Sequence, residues 1–403
     1  MISSIILCIL MFFEIMLFVV LRNNLAPASI VYAAFLFFIF VRMIFSERKK
    51  TGSSVIYRRI CQTVFAVGFC IAFISDLYAN RGSMSITTSA MSNAELPFCH
   101  IAIPQALVPL LVTKNIVFPA KITGSYAVVA SMLLIWLVCT LTVGRGWCSW
   151  ICFYGGWEEG FSHVAKKRRI NLLPKNREIR EFHLGFFFFI ILASLCELAC
   201  MYCDWFCPFK LVTEFAPITS IPTLIAAVLF IGLFLGLVVI LPILTKKRTQ
   251  CSSLCPFGAF ASLTDRISIF KIKIDTQKCA GCMKCAAACP FSAIDIKTIQ
   301  EKKGSPELTC AKCGECIKVC PQNAISFDFR FHLKSGNCGK NCASKSKEPK
   351  TRFGRGVQYI LHPAQLFRFA AYTFFVVMSS TFMIKTLNLL AKAFVNIFAG
   401  GAQ

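Results

Sequence analysis

Two stretches of this sequence repeat one another. Residues 279–295 read Cys-Ala-Gly-Cys-Met-Lys-Cys-Ala-Ala-Ala-Cys-Pro-Phe-Ser-Ala-Ile-Asp, and residues 310–326 read Cys-Ala-Lys-Cys-Gly-Glu-Cys-Ile-Lys-Val-Cys-Pro-Gln-Asn-Ala-Ile-Ser. The pattern C-A-x-C-x-x-C-x-x-x-C-P-x-x-A-I therefore occurs twice. A C-x-x-C-x-x-C turn wraps three thiolates around one iron–sulfur cubane, and the fourth cysteine, ended by proline, reaches a second cubane. Each repeat then serves both centres. One [4Fe-4S] cluster is expected on Cys279, Cys282, Cys285 and Cys320, the other on Cys310, Cys313, Cys316 and Cys289. Zinc is the rival ligand of C-x-x-C pairs, but a four-ligand zinc site gives no reason for eight cysteines at a doubled spacing with both prolines. Ile272 and Ile274 before the first repeat, and Ile325 and Phe327 after the second, alternate with polar neighbours and predict a flanking strand pair.

Long apolar runs dominate the rest of the chain. Of its 403 residues 56% are hydrophobic, and the mean hydropathy is +0.66, which places the chain in a membrane. Runs approaching the roughly 20 residues that cross a hydrocarbon core lie at about Ser4 to Leu21, Ser29 to Phe45, Ile60 to Tyr78, Tyr126 to Val143, Leu184 to Met201 and Pro222 to Leu244. The first lacks the basic leader and small-residue cleavage site of a signal peptide and reads as an anchor. The net charge of +24 follows topology: Arg48 to Lys50 with Arg58 and Arg59, Lys166 to Arg180, and Lys246 to Arg248 crowd three connections that the positive-inside rule assigns to the cytoplasm. The segments 22–28, 79–125 and 202–221 then fall on the outer side. A last apolar stretch, Phe369 to Ile384, is sixteen residues long and suits a short span or an interfacial helix equally.

The fold class expected is mainly α: a polytopic bundle of six or seven transmembrane helices with an inserted α+β, bacterial-type 2[4Fe-4S] ferredoxin domain. Residues 1–124 form a three-span anchor and outer loop, 125–270 a cysteine-bearing membrane core, 271–330 the ferredoxin domain, 331–365 a basic linker, and 366–403 the last helix. The expected location is a bacterial-type inner membrane, with the ferredoxin domain in the cytoplasm.

Three further cysteine pairs share another spacing: Cys148 and Cys152 after the fourth run, Cys203 and Cys207 after the fifth, and Cys251 and Cys255 after the sixth. Thiols at i and i+4 share a helix face. Pairs one and three fall on the same predicted side, so Cys148, Cys152, Cys251 and Cys255 are candidate ligands of one further metal centre. Cys203 and Cys207, with Cys196 and Cys200 nearby, are candidates for an outer centre, with a disulfide as the rival. Cys99 and His100 lie in the predicted outer loop as further ligands or a disulfide partner, and Cys338 and Cys342 form an exposed pair in the linker. Cys8, Cys61, Cys70 and Cys139 read as packing residues.

The ordered set Gly144-Arg145-Gly146-Trp147-Cys148-Ser-Trp-Ile-Cys152, Cys251-Ser-Ser-Leu-Cys255-Pro256-Phe257-Gly258-Ala259 and the doubled cysteine motif resembles the NapH/NosR/MauN type of polyferredoxin-like membrane proteins over roughly residues 125–327. The resemblance implies electron transfer between a cytoplasmic or quinol donor and a membrane or outer-side acceptor. It also implies two [4Fe-4S] clusters, room for one or two additional metal or iron–sulfur centres, and a quinone. Expected partners are membrane lipid, an acidic ferredoxin, flavodoxin or reductase subunit, and quinol. Glu197 is a candidate for taking a quinol proton, against a plain helix-end carboxylate. A second reading is an assembly or sensing factor that services another metalloprotein. The basic residues are not interleaved with an aromatic stacking platform, so nucleic acid is not expected. No nucleophile–base pairing or phosphate loop is present, and any chemistry belongs to the cofactors.

Overall fold

The computed structural model describes residues 2–46, 53–79, 100–105, 134, 136–171, 176–197, 201–210, 218–300, 304–330 and 362–399. Among them six helical stretches are long and apolar enough to cross a membrane: Ser3–Asn23, Pro27–Ser46, Ser54–Ala72, Arg177–Glu197, Ile221–Thr245 and Pro363–Phe398. Half of the expected run from Tyr126 to Val143 lies outside the described residues.

Local sequence sets the ends of these helices. The first, α1 (Ile2–Ile15), runs on through a π-helical turn and a 3-10 turn until Asn24 takes a left-handed conformation. Pro27 opens α2 (Pro27–Ser46), where its missing N–H costs nothing, and α3 (Ser53–Ala79) follows. Two short helices, α4 (Gly146–Trp150) and α5 (Phe153–Ser162), precede α6 (Asn176–Glu197), and α7 (Met201–Trp205) is again short. A capping box of Ser220 and Thr223 starts α8 (Ile221–Leu233), which continues to Thr245 and stops at left-handed Lys246. Then come α9 (Thr249–Ser253) and α10 (Pro256–Thr264).

The ferredoxin domain follows. Strand β1 (Phe270–Ile274) pairs antiparallel with β2 (Ile325–Phe329), setting Phe270 opposite Phe329, Ile272 opposite Phe327 and Ile274 opposite Ile325, as the alternation predicts. Between them each repeat supplies one short helix, α11 (Lys284–Ala288) and α12 (Glu315–Val319). Left-handed residues recur at matching places: Gly281 and Lys312, Met283 and Gly314, Ser292 and Asn323. The repeats thus share backbone geometry as well as spacing.

The last element, α13 (Pro363–Ala399), is a 37-residue helix, about 55 Å long at 1.5 Å per residue. Phe367, Tyr372, Phe375, Val376, Met383 and Ile384 are buried in the common core, while Leu390, Phe394, Val395, Ile397 and Phe398 toward its end are exposed. Polar bonds tie it to all three N-terminal helices, as suits helices without a hydrophobic drive between them. Thr373 donates to Glu14 Oε2 (2.8 Å), Tyr372 to the Leu36 carbonyl (2.9 Å) and Thr386 to the Gly68 carbonyl (2.5 Å). A Cβ at Gly68 would fall 2.3 Å from Met383 Sδ, so α3 and α13 touch backbone to side chain there.

The ferredoxin domain is fastened to this bundle. Phe367 of α13 stacks on Phe327 (4.5 Å) and meets Phe270 and Trp150 edge-on. Arg59 of α3 holds both Glu315 carboxylate oxygens (2.8 and 2.5 Å), and Arg58 holds one of them. The two parts share one continuous core.

Candidate metal centres

The pairs Cys148/Cys152 and Cys251/Cys255 are built alike. In each, a five-residue helix ends just before the second cysteine, whose N–H closes on the carbonyl of Trp147 or Gln250. That second cysteine is the N-cap of the next helix, and its sulfur accepts from Gly155 N (3.3 Å) or Gly258 N (3.4 Å). Both glycines are required by close approach: a Cβ at Gly155 would lie 2.8 Å from the Cys148 carbonyl oxygen, and one at Gly258 2.8 Å from that of Cys251. The working unit is therefore C-x-x-x-C-x-x-G.

The structure brings these four thiols together. Each is at least 93% buried, and a charge on one would be felt by its neighbours, Cys152 with Cys148 and Cys255, Cys251 with Cys255 and Cys152. Burial pushes all four thiols up from their ordinary value, with Arg145 and Arg248 pulling Cys148 back. Without a metal they are neutral thiols; a metal would make them thiolate ligands.

Sequence reasoning missed most of what surrounds them. His100, expected in an outer loop, is buried with Nε2 3.2 Å from Cys152 Sγ, boxed by Trp147, Phe153, Tyr154 and Phe257. Its segment, His-Ile-Ala-Ile-Pro-Gln, is apolar enough to fold back into the bundle. Burial lowers its pKa to about 3, so the ring is neutral. Arg58, Lys247 and Arg248, read as topological charges, are buried too. Arg248 and Arg58 (2.5 Å) both bind Glu159, and Arg248 also donates to the Cys148 carbonyl (2.6 Å) and to Gln62 Oε1 (2.6 Å). Burial alone would raise the Glu159 carboxyl, but Arg248 and Arg58 hold it well below the usual carboxylate range. Glu158 caps α9 by accepting from Gln250 N (2.7 Å) and Cys251 N (3.0 Å), and burial pushes it up to about 7. The one sequence signal for this shell was a charge, Arg145, set three residues before Cys148 at the end of an apolar run.

Several buried donors here have no partner among the described residues: Arg145 Nε and Nη1, and Trp147 Nε1. His183 Nε2 meets the Cys255 carbonyl oxygen (3.0 Å). An acceptor-rich anion such as an iron–sulfur cluster fits this shell, because unpaired buried donors are costly. Glu159, His163 and Glu315 also lie within 4.8 Å of one another, but arginines already occupy both carboxylates.

The ferredoxin cysteines fall into the two expected groups. A small cavity is lined by Cys279, Cys282, Cys285 and Cys320. Cys310, Cys313 and Cys316 lie within reach of Cys289. The groups differ in exposure: the loop 276–284 faces solvent, whereas residues 311–316 are buried against the bundle. Two bonds bridge the inner group to the helix-end pairs. Ser149, beside Cys148, donates to the carbonyl of Ala311, beside Cys310 (2.5 Å), and Arg248 N donates to the carbonyl of Pro290, beside Cys289 (3.0 Å). Lys312 locks the same seam by donating to the Val143 carbonyl (3.0 Å), Asp265 (2.6 Å) and Ser268 (2.6 Å), which accounts for a non-glycine residue at its left-handed position.

Span counting places Cys203 and Cys207 on the face opposite the other pairs. The structure instead folds 201–209 back along α6, because its aromatic residues seek the core. Phe206 packs on Phe186 (5.3 Å), and Phe209 on Tyr154 (4.4 Å) and Phe234 (5.9 Å). Tyr202 N donates to Gln105 and its hydroxyl accepts from Gln250 Nε2 (2.7 Å). Tyr202 also feels the charges of Cys207, Cys255 and Cys203, so the third pair approaches the other two. This pair has Lys210 where the others have glycine. Cys196 and Glu197 are exposed at the end of α6. Cys8, Cys61 and Cys139 are buried and Cys70 partly so. Cys99, Cys200, Cys338 and Cys342 lie outside the described residues.

Comparison with known proteins agrees with this geometry. Residues 278–324 match a 4Fe-4S dicluster domain, and 126–171, 182–217 and 227–275 match a 4Fe-4S binding domain, each of these three segments carrying one C-x-x-x-C pair. The chain is 25% identical over 207 residues to the Escherichia coli (strain K12) protein named "Putative electron transport protein YccM", covering 47% of this chain and 54% of that one. It is 30% identical over 159 residues to the uncharacterized protein MJ0749 of Methanocaldococcus jannaschii (39% and 56%), and 27% over 218 residues to MJ0750 of the same organism (53% and 84%). The chain thus spans about half the length of the first two. No solved structure matches it. It carries two kinds of 4Fe-4S-binding domain on a bundle of helices long and apolar enough to cross a membrane.

Proposed function

We propose that this protein is a membrane electron-transfer component whose ferredoxin clusters are wired to a third centre sunk in the helix bundle. The observation that carries the reading is the pair of bonds from Ser149 and Arg248 to the carbonyls beside Cys310 and Cys289. Cys279, Cys282, Cys285 and Cys320 hold an outer, solvent-facing cluster; Cys310, Cys313, Cys316 and Cys289 hold an inner one; Cys148, Cys152, Cys251 and Cys255 hold the third. When bound, such clusters supply one-electron carriers whose potentials the protein tunes by charge, hydrogen bonding and burial. Cys203 and Cys207 extend the series beyond Cys255. The name of the Escherichia coli relative supports electron transport, and the ordered motifs support the NapH/NosR/MauN type.

The basic connections favour a cytoplasmic ferredoxin face in an inner membrane, and the exposed Lys278 and Lys284 beside Cys282 favour an acidic redox protein as partner. The test is iron, sulfide and zinc per chain in anaerobically purified protein, with low-temperature EPR after reduction. About twelve iron, as three [4Fe-4S] clusters hold, with a signal lost in Cys148→Ser, is the expected result. About eight iron with no further signal removes the third centre, and zinc in place of iron removes electron transfer.

A further inference from the structure

We propose that the guanidinium of Arg145 is the counter-charge of the four-thiol centre and sets its reduction potential, an inference that rests on the third centre proposed above. Three arginines surround the pairs. Arg248 is neutralised by Glu159, and Arg58 by Glu159 and Glu315. Arg145 is fully buried and has no carboxylate within salt-bridge distance among the described residues. Asp265 does not answer it, since it takes Arg145's backbone N–H (2.8 Å) and spends its carboxylate on Lys312 (2.6 Å) and Arg330 (3.1 Å). The guanidinium lies against the Cys148 thiol, with its Cζ 5.4 Å over the Phe291 ring. Nη2 makes one long bond to the Cys251 carbonyl (3.5 Å), and Nε and Nη1 have no partner.

An unpaired buried cation is among the most costly features a fold can carry. Four neutral thiols, or two disulfides, leave it unpaired. Four thiolates around a metal–sulfur core carry net negative charge and pair it. Arg145 therefore argues that these cysteines are ligands. Reduction adds one more negative charge beside it, so the guanidinium favours the reduced state and raises the potential. Arg145 is a positioning and charge-setting residue, not a ligand.

The experiment is a potentiometric titration, followed by EPR, of the full-length protein and its Arg145→Gln and Arg145→Lys variants, with iron counted in each. The expected result is a lower midpoint potential of the third centre in Arg145→Gln, a near wild-type value in Arg145→Lys, and no movement of the ferredoxin signals. Loss of about four iron in Arg145→Gln that Arg145→Lys restores supports the same assignment, since four is one cluster's complement. An unchanged potential in Arg145→Gln with iron retained overturns it, as does equal iron loss in both variants, which assigns Arg145 to packing. A wild-type chain with about eight iron fails the third centre itself, before Arg145 is tested.

Discussion

Glu159 is a single carboxylate held by three arginines. It binds Arg248, Arg58 at 2.5 Å and Arg59 at 3.5 Å, with the first two fully buried. Removing one member of such a set leaves buried charge without compensation, so Glu159→Ala is expected to cost about 3–5 kcal/mol, read as a lower unfolding midpoint in detergent. An unchanged midpoint would mean that Gln62 and the backbone carbonyls already satisfy both guanidiniums. The carboxyl's folded pKa lies below its ordinary 4.5, so its contribution is in place above that value and is lost as pH falls through the folded one. At this scale spacing made the proximities legible: Cys279, Cys282, Cys285 and Cys320 line one cavity, and Cys148, Cys152, Cys251 and Cys255 lie near one another. Arg58 and Arg248 were not legible, because a basic residue beside an apolar run looks the same whether it marks topology or neutralises a buried acid. Nothing in Trp157-Glu158-Glu159-Gly160 announces that two acids are buried there.

Among the elements, the C-x-x-x-C-x-x-G unit makes the sharpest predictions. Gly258→Ala drives a methyl to within 2.8 Å of the Cys251 carbonyl oxygen, so the two cysteines must move apart. The expected loss is about 1–3 kcal/mol, together with the iron of the third centre and with the ferredoxin signals intact. Gly232→Ala is the control: a Cβ there meets nothing within 4 Å, and the substitution should be neutral or stabilising by up to about 1 kcal/mol. Equal iron loss in both would deny the close approach its role. Phe367→Ala tests the seam at the start of α13. Truncating a buried aromatic costs about 3–5 kcal/mol, and faster hydrogen exchange in β1 and β2 than in α2 would place that loss in ferredoxin docking. The strand pair was readable from alternation over five residues. The return of 201–209 and of His100 to the core was not, because both depend on partners distant in sequence: Gln105 and Gln250 for Tyr202, Phe257 for His100.

On the scale of the whole molecule, the two cysteine groups differ in setting: the loop 276–284 faces solvent, whereas residues 311–316 are walled in by α3, α4 and the start of α13. The docking of a soluble carrier proposed above belongs to the exposed loop. Reversing Lys278 and Lys284 to Glu should slow reduction or oxidation by an acidic carrier and flatten its dependence on salt, leaving the EPR signals in place; unchanged kinetics would move the docking face elsewhere. Five of the six spans read from apolar runs match helices long and apolar enough to cross a membrane, and the inserted domain was readable from its doubled cysteine motif, but the depth of the last helix was not, since hydropathy over sixteen residues does not say what lies on either side of it. That depth bears on how the protein is made. The helix wedged among α1, α2 and α3 leaves the ribosome after every other described helix, and at ~10 residues per second it emerges roughly half a minute after α3. Through that interval the first three helices wait in the bilayer with an open seam, and the whole cysteine-bearing portion is synthesised before it closes. Biogenesis thus leaves a window in which the sunken thiols are already made and the bundle around them is not yet sealed.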